Sequence, residues 1–293
     1  MELPLKVLEI VTPVIALGLI GFIWVKLGLE YSVQFVTRLS MTLAVPALIF
    51  VALMRTEIDP ASIKTLSLAA AVTYGGLTVA FAAMLAIFRL EQRTYLAPII
   101  FGNTGNVGLP LALFAFGEAG LDLAVVVFAV MILWSFTFGV WVVSGGGSLL
   151  KVMQEPVVAA TILGVLFLWQ GWDMPVAITN TLELIGQMAI PLMLITLGVA
   201  VARLQPGRML LASVLSVIKL AACAGGAYAI GMWFELPPVA LAVLVMQVAT
   251  PVAVTSYMLA EKYGGDASAV AGLVVVSTTL SILALPAMLA FFL

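Results

Sequence analysis

Phe101-Gly102-Asn103-Thr104-Gly105-Asn106-Val107-Gly108-Leu109-Pro110 sits inside a long apolar run, and no continuous lipid-facing helix would carry it. Glycine is a poor helix former, and Pro110 lacks the N–H that would bond the carbonyl of Asn106. A carbonyl without a partner is costly in hydrocarbon, so irregular backbone at membrane depth is tolerated only where it faces protein or water. The stretch predicts a broken helix that lines a cavity.

The surroundings make the membrane reading secure. Of 293 residues, 64% are hydrophobic and 9% charged, against roughly one-quarter charged in an ordinary soluble domain. The mean hydropathy is +1.25. Apolar runs of about 20 residues, the length that crosses a hydrocarbon core, alternate with short polar breaks. Spans are expected near 6–25, 33–54, 65–88, 95–115, 120–143, 156–171, 176–202, 209–234, 238–260 and 267–292, ten in all. A barrel is excluded because stretches such as Val157 to Leu168 do not alternate in polarity. The fold class is therefore an all-α membrane protein.

The same composition removes other classes. A net charge of −2 leaves no basic surface for nucleic acid. The single cysteine, Cys223, excludes an internal disulfide and a cysteine metal cage, and the absence of histidine removes the commonest general base. No phosphate loop and no catalytic pair is evident, so the chain reads as no enzyme and as needing no cofactor. Glu2 and Glu9 disfavour a signal peptide, so the first run is taken as a span.

Charge sets the orientation. Odd-numbered breaks hold Lys26, Arg38, Arg89, Arg93, Lys151, Arg203, Arg208 and Lys262, whereas even breaks and the start hold Lys6, Arg55 and Lys64. The odd breaks are thus expected in the cytoplasm and both termini outside, in a bacterial inner membrane. The flexible Gly145-Gly146-Gly147-Ser148 stretch then divides the chain into halves, 1–147 and 148–293. Three prolines of the first half, Pro13, Pro46 and Pro110, recur at similar offsets as Pro156, Pro191 and Pro251. Ala44-Val45-Pro46-Ala47-Leu48 also resembles Ala189-Ile190-Pro191-Leu192-Met193. A repeat of five spans re-enters from the opposite side, so the halves read as inverted repeats, an arrangement of secondary transporters.

Candidate site residues follow from the breaks. Asn106, Gln187 and Gln247 each stand four residues before a proline, at Pro110, Pro191 and Pro251. These carboxamides can mend loose backbone groups or offer neutral donors and acceptors to a solute. Spans 4 and 9, broken at matching places, would cross near the midplane and turn helix N-termini, which carry partial positive charge, on a shared centre suited to a small organic anion. Asn103, Thr104, Gly105, Asn106, Gly108, Pro110, Gln247, Thr250, Pro251, Pro46 and Gln187 are the expected substrate set. Lys219, roughly 16 Å into the eighth span, is either a charge partner at the midplane or a snorkelling lysine. Thr104, Thr250, Thr255 and Ser256 could ligate Na+ if the carrier is sodium-coupled. Gly75-Gly76 and Gly225-Gly226 are expected at close helix contacts, and Trp24, Trp169, Trp172 and Trp233 as interfacial anchors.

At these residues the sequence resembles the auxin efflux carrier family, bacterial members of which are described as malonate and malate permeases. The resemblance rests on Gly102 to Leu111, Gln247 to Pro251, Ala260-Glu261-Lys262-Tyr263-Gly264, and Ser277-Thr278-Thr279-Leu280-Ser281 with Leu285-Pro286. It implies a fold like that of bile-acid and sodium/proton carriers, in which spans 4 and 9 cross and an elevator motion gives alternating access. Spans 1, 2, 6 and 7 would then form a scaffold that pairs into a homodimer within the lipid, and spans 3–5 and 8–10 a transport domain. It also implies that Asn103, seven residues before Pro110, touches the substrate. Plant members carry a long cytoplasmic segment between the halves, whereas here only residues 144–155 lie there. The expected function is transport of a mono- or dicarboxylate, auxin-like acids included; the alternative is sodium-coupled symport of a larger amphipathic, bile-acid-like anion.

Overall fold

The computed structural model describes residues 2–56, 58–145, 156–204 and 206–293. Gly146, Gly147 and Ser148 of the expected linker, and Lys151, lie outside them, as do the side chains of Glu2, Lys6, Glu261 and Lys262. All described elements are helical, with one isolated antiparallel bridge between Gly102 and Val252.

Helix α1 is Glu2–Lys26, α2 is Val33–Leu39 and α3 is Val45–Arg55, the last two joined by a π-helical turn at Ser40–Ala44. Next come α4 (Pro60–Ile87), α5 (Gln92–Ile100), a second π turn at Thr104–Gly108, α6 (Leu109–Trp134), a third at Ser135–Gly139 and α7 (Val140–Ser144). The second half contains α8 (Pro156–Gln170), α9 (Val176–Gln187), α10 (Ala189–Arg203), α11 (Met209–Trp233), α12 (Pro238–Val248), α13 (Val254–Tyr263) and α14 (Ala267–Phe292). Local sequence explains several starts. Ser32 caps α2 through Phe35 N–H at 3.3 Å, Asp59 caps α4 through Ser62 N–H at 3.1 Å, and Asp266 caps α14 through Ala269 N–H at 2.9 Å. Pro60 and Pro238 occupy first turns, where a missing N–H costs no helical bond.

Among the described residues, seven helical stretches are long and apolar enough to cross a membrane. They differ from the ten expected spans for identifiable reasons. Thr104–Ser144 runs as one 41-residue stretch, bent at Gly117, whose φ of 67° and ψ of −159° suit glycine and end a helix. Pro156–Gln170 and Pro238–Val248 are apolar but shorter than a full crossing.

Certain helices pack most extensively on one another. Helix α1 lies along α10, and α3 lies along α8 and α9. Helix α11 packs on α14, α12 and α4, while α6 packs on α4 and α12. The α1–α10 contact is backbone to backbone: a Cβ on Gly198 would collide with the Gly18 carbonyl, and one on Gly21 with that of Ile195. These, rather than Gly75-Gly76 and Gly225-Gly226, are the close-contact glycines. A Cβ at Gly75, Gly76 or Gly225 would meet nothing within 4 Å, and at Gly226 only the Leu77 side chain at 3.6 Å. Trp24, Trp169, Trp172 and Trp233 are all exposed near helix ends, as interfacial anchors are. Arg55 of α3 pairs with Glu183 of α9.

Candidate functional site: a crossing of interrupted helices

Helix α5 stops at Ile100, and α12 stops at Val248. The two following segments meet. Asn103 N–H donates to the Pro251 carbonyl at 2.6 Å, beside the Gly102–Val252 bridge. Gly102 has no Cβ, and any Cβ there would strike Thr250. The break in the first half thus sits at Phe101–Asn103, seven residues ahead of Pro110, and not at the proline. Pro110 instead occupies the first turn of α6, where its missing N–H is harmless. Between them the Asn103 carbonyl accepts from Val107 N–H at 2.9 Å and Gly108 N–H at 3.4 Å. In the second half Pro251 does lie in the break. There Thr250 Oγ1 donates to the Gln247 carbonyl at 2.7 Å and Val252 N–H donates to Ser277 Oγ at 2.9 Å.

The crossing has two unlike sides. On one side, the Thr104–Gly108 turn and the start of α13 point helix N-termini into a cavity of about 520 Å³. First-turn N–H groups have no intrahelical partner and carry partial positive charge. Asn103, Thr104, Gly105, Asn106, Thr255 and Ser256 line it, and most of the remaining wall is apolar, including Met41, Phe101, Phe128, Met131, Ile132 and Met258. Asn103 and Thr104 are buried, and neither Asn103 Nδ2 nor Thr104 Oγ1 has a hydrogen-bond partner. Buried amides are rarely left unpaired, so these atoms are poised for a solute or water. Arg93, exposed at the rim, donates to the carbonyls of Val143 at 2.8 Å and Tyr263 at 2.5 Å. Gln34 and Thr37 of α2 complete the wall.

On the other side lies Lys219, which is 2% exposed and donates from Nζ to the Thr250 carbonyl at 2.8 Å, just past the end of α12. Lys219 is thus buried behind the crossing. A space of about 10 Å³ there is bordered by Ser216, Thr250, Pro251, Ser277 and Ser281.

The expected residues therefore divide. Asn103 to Asn106 converge on the cavity. Thr250 and Pro251 face Lys219, so the four hydroxyl residues proposed for Na+ lie on opposite sides of the crossing. Gln247 is fully buried against Gly108, where a Cβ would overlap its amide, and its Nε2 donates to the Ala124 carbonyl at 3.4 Å. Pro46 and Gln187 lie away from the cavity, Pro46 in the first turn of α3 and Gln187 exposed at the bend between α9 and α10. Gln34, Thr37, Arg93, Phe128 and Ser135 were not anticipated. Their positions are ordinary for span ends and helix faces, and the only available signal was Arg93, already conspicuous as a basic residue beside a break.

Multi-pass in its apolar helices and matched by a transport family, the chain belongs to the class of membrane transport proteins and is not an enzyme. Residues 140–289, just over half of the chain, match the family described as membrane transport protein, and the chain belongs to this family, that of the auxin efflux carriers. It is similar to an uncharacterized transporter of Methanocaldococcus jannaschii, 25% identical over 298 residues that cover 94% of this chain and 96% of the relative. An uncharacterized transporter of Methanothermobacter thermautotrophicus is 28% identical over 293 residues, covering 95% and 96%.

Proposed function

We propose that this transporter carries a small organic anion by alternating access, holding its carboxylate against Asn103, Asn106 and the N–H groups of the crossing. The observation that carries the reading is the union of two interrupted helices at the Asn103–Pro251 hydrogen bond, with their N-termini turned on one cavity. A cavity of about 520 Å³ is in the range of small-molecule sites. Its apolar wall, with Arg93 as the charged side chain lining it among the described residues, favours a monocarboxylate with an apolar body over a compact dicarboxylate.

Ten spans in two inverted repeats, an elevator motion and the scaffold of spans 1, 2, 6 and 7 form part of the same proposal. The extensive packing of α1 on α10 and of α3 on α8 and α9 supports it. So does the bend at Gly117, which divides α6 between the fourth and fifth spans. Homodimerisation through that scaffold, a bacterial inner membrane and external termini complete the reading; the last rests on the basic breaks. Gln34 and Arg93 lie beside odd-numbered breaks, so the cavity faces the cytoplasm in this orientation.

The test is uptake into proteoliposomes of labelled benzoate, phenylacetate, indole-3-acetate, malonate and malate under imposed pH, Na+ and voltage gradients. Saturable flux of at least one monocarboxylate is expected; no saturable flux of any of them would refute the carrier. Amphipathic symport, favoured by the apolar wall, is separated by adding a labelled bile acid and replacing Na+ with K+, which abolishes only a sodium-coupled flux.

A further inference from the structure

The side of the crossing opposite the cavity contains a buried lysine that no carboxylate among the described residues answers. Beside Lys219 stand Cys223 of α11, 3.9 Å from Nζ, the Thr250 carbonyl, and Ser277 and Ser281 of α14, while the Ile99 carbonyl of α5 lies 4.0 Å from Cys223 Sγ. None is an acid, and among the described residues Lys219 forms no salt bridge. What faces it is the Thr250 carbonyl, two residues past the end of α12, and beyond Cys223 the Ile99 carbonyl near the end of α5. Carbonyls freed at a helix end carry partial negative charge, the environment that stabilises a cation.

We propose that Lys219 is the resident counter-cation of the crossing, so that the empty transport unit carries one positive charge through the membrane and the unit loaded with a monoanion carries none. This deepens the carrier reading and rests on it. Lys219 touches no solute: it is a positioning residue, acting through Thr250 and the Asn103–Pro251 bond on the site beyond. A fixed ammonium moving with the site brings the empty-carrier step under the membrane potential, while the loaded step escapes it.

The experiment uses voltage-clamped cells expressing the full chain in chloride solution without any carboxylate, so no substrate need be known. Voltage steps are expected to evoke a saturating transient charge movement in the wild type and in Lys219→Arg. Lys219→Gln and Lys219→Met, the latter close in shape, are expected to lose it while remaining monodisperse and near wild-type melting temperature in detergent. Absence of the transient from the wild type, its persistence in either folded neutral variant, or its loss in Lys219→Arg would overturn the proposal. Failure of the carrier reading is distinguishable, because it appears as absent carboxylate flux in proteoliposomes whatever the transient does.

Discussion

The backbone and the side chain of Asn103 are placed differently. Its backbone is committed: N–H to Pro251, carbonyl to Val107 and Gly108. Its side-chain Nδ2 is buried and unpaired. Substituting Asn103→Ala should therefore spare the crossing and remove the proposed solute contact. A hydrogen bond to a charged group contributes about 1.5–3 kcal/mol, so the apparent affinity for a transported carboxylate should fall about ten- to hundredfold, read as a raised half-saturation concentration in proteoliposomes. Ser277 has the opposite character. Ser277→Ala would leave the buried Val252 N–H without its partner, a loss of about 1–3 kcal/mol, so a lowered melting temperature in detergent is expected.

At the scale of elements, two glycine contacts bring backbones together for different ends. Gly102 lets the two breaks touch, and Gly198 lets α1 and α10 touch. Gly102→Ala should force Thr250 away and disturb the bridge, abolishing flux in a protein that still inserts. Gly198→Ala meets a backbone carbonyl that cannot swing aside. Overpacking of this kind costs about 1–3 kcal/mol, so it should lower the melting temperature of the purified protein more than its flux per folded molecule. Equal loss of flux in both variants at equal stability would mean that the two contacts serve one rigid unit. The three π turns, at Ser40–Ala44, Thr104–Gly108 and Ser135–Gly139, also gather near the cavity, since Met41, Asn106 and Ser135 all line it.

For the whole molecule, the cavity and the charge distribution make one prediction about sidedness. Native Cys223 is buried, so introduced cysteines report on a quiet background. A membrane-impermeant maleimide applied from the cytoplasm should label Leu29→Cys, between α1 and α2, and Thr37→Cys in the cavity wall, but not Thr56→Cys after α3. The transported anion should protect position 37. Labelling at 56 from the cytoplasm would invert the topology, and failure to label 37 would place the cavity mouth on the other face.

Composition and apolar run length settled the membrane-spanning helical class, because crossing hydrocarbon imposes a length and an apolar content that any solution must display. The broken helix was legible for the same reason: Gly102, Asn103 and Asn106 violate what lipid permits, and a violation needs a cavity to excuse it. Folding in three dimensions alone decided which side of the crossing each residue faces. Asn103 and Thr250 both flank a break, yet one meets the cavity and the other Lys219, and Gln247, alike in chemistry to Asn106, is spent filling the space above Gly108. Spacing to a proline marks where a helix fails, but the direction of each side chain there depends on what the other half of the chain brings against it.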